Sequence, residues 1–311
     1  MSAESPYVLH LFTPNKQASP FDVNMAADAG YQMVVPYTDI ALEQVNGLTQ
    51  DAIFSRGPKG AARTGIFIGG RDALLAADML DRAHAALVPP FAVSLMADPS
   101  GAFTTAAAML ACVQASLQAR AGRSLVGSTV LVLGGTGPVG RVACVLAAQA
   151  GAKVLLGSHS GLAGAQKAAE LTGQRFGVQL AAAFTGDDAE RRAQLASADV
   201  VLACAAAGVQ VLSAADLQFA GRVQVLADVN AVPPEGIAGV GVMHQGQPVP
   251  GTPAVGYGAL AIGNIKYQTQ HRLLQKIRQA TQPLKLGFAE AFVMAQACVH
   301  EAAVKAAQAA A

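Results

Sequence analysis

The chain has 311 residues, of which 52% are hydrophobic and only 13% charged, with a formal net charge of +1. That balance excludes a disordered or tail-like polyelectrolyte and leaves room for two domains or one large α/β unit. It supplies no global field for nucleic acid or an anionic membrane, so a charged ligand has to be met by local groups.

No uninterrupted apolar run reaches the ~18 residues of a membrane span. Residues 106–113 and 142–150 read instead as buried, alanine-rich helices. The opening MSAESPYVLHLF lacks a basic segment followed by an apolar core, so no signal peptide is expected. Cys112, Cys144, Cys204 and Cys298 lie far apart in apolar runs without a CxxC pair. They read as buried thiols in a reducing compartment, and a cytoplasmic location is predicted. His10, His84, His159, His244, His271 and His300 show no ligand spacing, so no metal is expected.

In chain order, residues 8–12 and 33–36 read as short strands. TGIFIGG (64–70) is a strand ending in glycines, 71–86 an amphipathic helix and 91–96 a strand. Asp98 reads as a turn residue before a long helix over 104–121, which stops at Gly122, a C-cap candidate. Thr104 and Thr105 stand at that helix start as caps or site residues. Residues 129–133 form an apolar β-branched run, the pattern of a strand buried on both faces. Residues 138–150 read as helix, 153–157 as strand, 162–172 as a helix with charges along one side, and 179–184 as a weaker strand. A polar helix over 187–195 opens with Asp187 and Asp188, where a helix N-terminus favours negative charge. Two more strands follow at 199–204 and 223–228. The Gly- and Pro-rich segment 246–264 reads as loop, and helices at 265–280 and 288–309 close the chain.

Strands alternating with helices call for a parallel sheet covered on both faces, wound by right-handed crossovers. Residues 121–254 are therefore predicted to form a doubly wound, Rossmann-type domain. Residues 1–120 and 255–311 form a discontinuous α/β domain, because the closing helices cannot extend a parallel sheet and fold back onto the first part. The ligand is expected in the cleft between the two.

Within VLVLGGTGPVGRVACVLAAQAGAKVLLGSHS, Gly135, Gly137 and Gly140 make G-x-G-x-x-G, with Thr136, Pro138 and Val139 between them. The motif is weak alone, but here it follows a strand and opens a helix inside a βαβ unit of roughly 30 residues. Gly135 is expected to permit the tight turn, Gly137 the approach of a pyrophosphate, and Gly140 close helix–strand packing. The helix N-terminus offers free N–H groups to the phosphates. The acid that normally binds the adenosine ribose of NAD, about 20 residues on, is missing. Ser158, His159 and Ser160 stand there instead, with no arginine either. These groups can bond a hydroxyl or a phosphate, so NAD and NADP are both acceptable. Equally, they are plain loop residues, and Lys167 or another group meets the ribose.

SPFDV, IFIGG, TTAAA, VLVLGGTGPVGRVA, DVNAVPPEGIAGV and YGALAIGNIK, in that order over nearly the whole chain, resemble the bacterial methylene-tetrahydromethanopterin dehydrogenases of one-carbon metabolism. The two-body layout is more distantly similar to that of methylene-tetrahydrofolate dehydrogenases. The resemblance implies hydride transfer from the methylene carbon of the pterin to NAD or NADP, leaving a methenyl cation. It implies that the first and last segments form the pterin-binding, catalytic domain. Asp22 reads either as an N-cap or first-turn residue of its helix or as a ligand-binding site residue. The resemblance further implies Phe21 near the pterin or the reacting carbon, Lys266 as the polar active-site residue, and a histidine one turn later. Gln270 occupies that position here, and His271 follows it, so His271 is the histidine candidate. Asn230 bonds the cofactor or shapes the following Pro-Pro turn. The Ser158-His159 ending departs from the basic pattern of the NADP-only branch and fits the branch that uses both cofactors. A homo-oligomer is implied, with a trimer among the candidates.

The N–C–N cation is resonance-stabilised, so no proton leaves in the chemical step and no general base is required. The protein's task is to hold the reacting carbons ~3–3.5 Å apart and to tune the local charge. A tetrahydrofolate carrier, or a non-catalytic NADP-sensing module, are the alternative readings.

Overall fold

The computed structural model describes residues 5–310. The chain divides into two compact units. One holds the residues up to Thr104 together with Tyr267–Met294, the other Thr105–Lys266 with the residues from Ala295 on.

The first unit begins β1 (Val8–Phe12), α1 (Pro20–Asp28), β2 (Met33–Tyr37), α2 (Val45–Phe54), α3 (Gly57–Ala61), β3 (Thr64–Ile68), α4 (Ala73–Ala85) and β4 (Ser94–Ala97). Every residue of β3 and β4 is buried, as befits central strands of a parallel sheet covered on both faces. Asp72 starts α4 by accepting hydrogen bonds from the N–H groups of Leu74 and Leu75, satisfying two donors that the helix itself cannot. The long α5 (Ala102–Ala121) runs from this unit into the second. Asp98, read as a turn residue, does more than turn the chain. It is fully buried, accepts from the N–H groups of Phe103 and Thr104 at 2.9 and 3.1 Å, and takes the Thr104 hydroxyl at 2.6 Å. Asp98 and Thr104 thus anchor the start of α5. The segment Pro99–Ala121 has the length and hydropathy of a membrane span, but 78% of its most apolar window is buried inside the protein. That is the character of a core helix.

The second unit continues with β5 (Thr129–Leu133), α6 (Pro138–Gln149), β6 (Lys153–Ser158), α7 (Leu162–Phe176), β7 (Ala181–Phe184), α8 (Asp188–Ser197), β8 (Val200–Ala203), α9 (Ala214–Leu217), β9 (Val225–Asp228), β10 (Gln245–Pro248) and β11 (Val255–Tyr257). Asp187 is the cap of α8 rather than part of it, accepting from the N–H groups of Ala189 and Glu190. The helix α10 (Ala259–Gln279) then crosses into the first unit. There β12 (Lys285–Leu286) pairs parallel with β4, and α11 (Phe288–Ala310) leads back.

The first unit's sheet has the order β12-β4-β3-β1-β2, with every pairing parallel. The second unit's sheet has the order β10-β11-β9-β8-β5-β6-β7. Its β7-β6-β5-β8-β9-β11 portion is the strand order of the doubly wound dinucleotide-binding fold. Only β10 runs antiparallel, in a hairpin with β11. Its core is an unbroken apolar cluster built on Leu131, Leu133, Val201, Leu226, Ile237 and Val240.

Segment 246–264 is therefore not a loop. It carries most of β10, all of β11 and the first turns of α10. Its glycines serve close packing rather than freedom. A Cβ on Gly256 would lie 3.0 Å from the Val249 side chain, and one on Gly258 only 2.1 Å from the Gly241 carbonyl oxygen. The helix-favouring Ala-Leu-Ala-Ile run carries α10 back to Ala259 and outweighs the ~1 kcal/mol cost of Gly263 inside it.

Candidate functional site

In the second unit the chain leaves β5 for β6 and β7, then returns to β8 on the other side of β5. In such sheets ligands bind outside the carboxyl ends of the strands at this reversal. The glycine loop stands there. Gly134, at φ 73°, is the residue in the left-handed region, and a Cβ on it would lie 2.8 Å from the Cys204 carbonyl group. The turn assigned to Gly135 alone therefore depends on Gly134 as well. Gly135 must be small because a Cβ would meet Leu156 at 2.8 Å, while its N–H donates to the Gly157 carbonyl at 2.9 Å. Gly140 packs hardest, with a virtual Cβ 2.4 Å from the Gly134 oxygen and 2.7 Å from the Gly135 Cα.

Gly137 is different. The nearest atom to its virtual Cβ is 3.5 Å away, so space stays open above it. It caps α6, Pro138 fills the first helical position without wasting an N–H, and Val139 and Gly140 bring N–H groups of the first turn that have no acceptor within the helix. An open face over Gly137, these donors and the positive end of α6 fit the pyrophosphate of a dinucleotide.

A cavity of about 660 Å³ continues from Thr136 and Gly137 past His159, Thr185 and Gly186 to Asp188 and Arg191 on α8. Its volume suits a small-molecule or cofactor site. Ser158 ends β6 almost wholly buried, and its hydroxyl accepts from the Ser160 N–H at 3.3 Å, so it holds the turn. His159 lines the cavity, and the Ser160 hydroxyl lies 3.3 Å from its Nε2. Lys167 is exposed on α7. Asn230 is committed to its own loop: Oδ1 accepts from the N–H groups of Gly208 and Val232, and Nδ2 donates to the Pro234 carbonyl. Asp228 supports that loop through the N–H groups of Asn230 and Ile237. Burial pushes its carboxyl up from the ordinary range, partly opposed by these bonds. Burial likewise pushes the Cys204 thiol up, as it does a structural rather than reactive cysteine.

The first unit holds Phe21, Asp22 and His271 of the second group of predicted residues, and Lys266 is the last α10 residue assigned to the second unit. Pro20 opens α1, which puts Phe21 and Asp22 in its first turn. Phe21 is 46% exposed, whereas Asp22 is buried. The Gln270 side chain, also buried, donates from Nε2 to Asp22 Oδ1 at 3.0 Å. Gln270, not His271, is thus the α10 residue beside Asp22. His271 has its Nε2 3.3 Å from the Asp28 carbonyl and its ring stacked on Tyr267. Lys266 is half-buried in the interior of α10, one turn before Gln270 on the same helical face, and not at the helix start. Among the described residues no group of three or more His, Cys, Asp or Glu is arranged to hold a metal ion.

A family model described as methylene-tetrahydromethanopterin dehydrogenase, N-terminal, matches residues 20–100. An NAD(P)-dependent methylenetetrahydromethanopterin dehydrogenase of Methylorubrum extorquens is 48% identical over 288 residues, 93% of this chain and 97% of the relative. The chain belongs to the methylenetetrahydromethanopterin dehydrogenase family. The bifunctional protein MdtA of the same organism is 34% identical over 89% of this chain and 94% of its own length. Among solved structures, 5-ketofructose reductase of a Gluconobacter species superposes with a TM-score of 0.53 at 15% identity, covering 94% of this chain and 98% of that one. That likeness shows the Rossmann-type fold alone.

Within this dehydrogenase family frame, two groups lay outside the sequence reading. Gln270 was visible only as an interruption of the family pattern, and its bond to Asp22 spans 248 positions. Arg191 with Asp188 and Asp216 gave no local signal, because a DDAERR run reads as a solvated helix face.

Proposed function

We propose that this dehydrogenase moves a hydride from 5,10-methylene-tetrahydromethanopterin to NAD or NADP, giving the 5,10-methenyl product, in one-carbon metabolism that oxidises formaldehyde. The observation that carries this reading is the 48% identity maintained over 93% of the chain with an NAD(P)-dependent enzyme of that name. A bound nicotinamide supplies the hydride-accepting carbon.

The chain's own residues bind, orient and set the charge. Thr136, Gly137, Val139 and Gly140 offer backbone to the pyrophosphate, and Ser158 and His159 frame the adenosine ribose. The half-exposed Phe21 ring gives the flat pterin an apolar face to pack on. Gln270 fixes the Asp22 carboxyl group in one orientation. A carboxylate so held favours a carbon that gains positive charge as the hydride leaves. Lys266, at the next turn of α10, supplies a donor to the polar edge of the carrier. Dehydrogenation of an N–CH₂–N carbon releases no proton, so no group on this face has to act as a base.

A cytoplasmic location and a homo-oligomer complete the proposal. Four buried, free cysteines support the first. Exposed apolar side chains such as Val126, Met243 and Val293 support the second.

The test is a steady-state matrix of NAD and NADP against the methanopterin and folate carriers. The expected result is turnover with the methanopterin carrier and both nucleotides. Turnover with the folate carrier alone would overturn the carrier assignment. Nucleotide binding without turnover on either carrier would favour a sensing module.

A further inference from the structure

The loop after β6 lacks both the acid that selects NAD and a basic residue that selects NADP. The cavity supplies a cation from another element. Arg191 lines it from α8, and its guanidinium reaches back to that loop: Nη1 lies 3.4 Å from the Thr185 carbonyl oxygen, while the Thr185 N–H donates to the Ser158 carbonyl at 2.9 Å. Gly186 lies directly against His159, with a virtual Cβ only 2.2 Å from the His159 oxygen. The guanidinium is therefore linked through Thr185, by two successive hydrogen bonds, to Ser158 at the end of β6.

Arg191 is also incompletely used. Nη2 is held by Asp188 at 2.6 Å and by both oxygens of Asp216 at 3.2 Å. Nε is buried and has no acceptor among the described residues. The Arg191 side chain nevertheless lines the cavity and keeps 15% of its surface exposed, so its outer guanidinium edge is within reach of a ligand there. The two carboxylates differ in grip. The Asp216 side chain is 2% exposed and bonded also by Ser213 and by Arg192 Nε at 3.0 Å, whereas that of Asp188 is 64% exposed and has only a longer second contact, Arg192 Nη2 at 3.4 Å. Burial works against the charge on Asp216, but the Ser213 and arginine bonds outweigh it and hold its carboxyl below the ordinary range. Asp216 is thus a fixed anchor for Arg191, and Asp188 an exchangeable one, since exposed ion pairs are weak.

We infer that Arg191 reads the 2′-phosphate of NADP, with Asp188 neutralising the guanidinium when the ribose carries only a hydroxyl. This rests on the dinucleotide reading of the cavity. It accounts for dual cofactor use without a basic residue after β6. With NAD bound, the Arg191–Asp188 pair leaves no uncompensated charge. With NADP, a phosphomonoester of roughly −1.5 to −2 charge displaces the exposed Asp188 and takes the guanidinium in a charge-assisted bond.

Equilibrium binding by calorimetry on the full chain tests this, with NAD, NADP, ADP and adenosine 2′,5′-bisphosphate as probes. Arg191→Gln is expected to weaken NADP and the bisphosphate by about tenfold, the loss of one charge-assisted bond, and to leave NAD and ADP within about twofold. Asp216 keeps Ser213 and Arg192 as partners in that variant, and Arg191→Lys, which retains the charge without the fork, should recover part of the loss. Asp188→Asn is expected to tighten NADP severalfold and leave NAD unchanged. Equal shifts of NAD and NADP in Arg191→Gln would make Arg191 a brace of the cavity wall and overturn the inference, as would an unchanged NADP affinity. Failure of the unaltered protein to bind any of the four probes would overturn both the inference and the dinucleotide reading beneath it.

Discussion

Gly140→Val is expected to weaken NAD and NADP binding together, by about a hundredfold, the upper end of an overpacking cost of ~1–3 kcal/mol. A Cβ at this position would stand 2.4 Å from the Gly134 oxygen and 2.7 Å from the Gly135 Cα. Those are backbone atoms, so no side chain can swing aside. The only relief is to push the start of α6 off β5, which carries the N–H groups of the first turn away from the phosphates. Gly137→Ala separates geometry from folding. Its added methyl has 3.5 Å of room, so the fold should hold with an unchanged melting temperature. The methyl nevertheless occupies the face that the pyrophosphate approaches. Calorimetric binding and a thermal melt on both variants check this. Nucleotide affinity within about twofold of the parent in Gly140→Val would show that the loop is not the cradle.

Lys266→Ala is expected to lower kcat by about 10²–10³, the scale of losing one preorganised donor at a reacting centre, with NADP affinity within about twofold. The argument is positional. Gln270 is pinned to Asp22, which fixes the rotation of α10 at that point, and Lys266 precedes it by one turn. The lysine is therefore presented on the same face as the residue that orients the carboxyl group. A change confined to the Michaelis constant for the pterin would make it a uniform binding group. Near-normal turnover would remove it from the site altogether.

How legible the molecule was depends on where the information sat. The βαβ unit around the glycine loop could be read to within a residue or two, because a strand buried on both faces is a continuous apolar run and Pro138 marks the helix start. The strand β11 could not. It has three residues, Val-Gly-Tyr, inside a glycine- and proline-rich stretch, and its pairing with β9 is purely tertiary. The two residues of β12 offer even less. Asp98 reads as a turn former in any local window, and only burial shows that it holds α5. The two glycine positions were indistinguishable by motif: sequence names Gly135, but the left-handed turn belongs to Gly134, which precedes the motif. The site divides in the same way. Residues borne by the loop motif are legible from their local pattern alone. The roles of Gln270 and Arg191 are not legible locally, since each gains its meaning from a partner distant in sequence or on another element.

The central claim is direct hydride transfer between the pterin methylene carbon and the nicotinamide, with no proton relay. The measurement that meets it squarely is a single turnover of NADP with methylene-tetrahydromethanopterin deuterated at the methylene carbon, followed by mass and proton resonance analysis of the reduced nucleotide. The account predicts a nucleotide carrying deuterium at the nicotinamide C4 position and no label in the water. Solvent hydrogen at C4, or label released to the water, would contradict it.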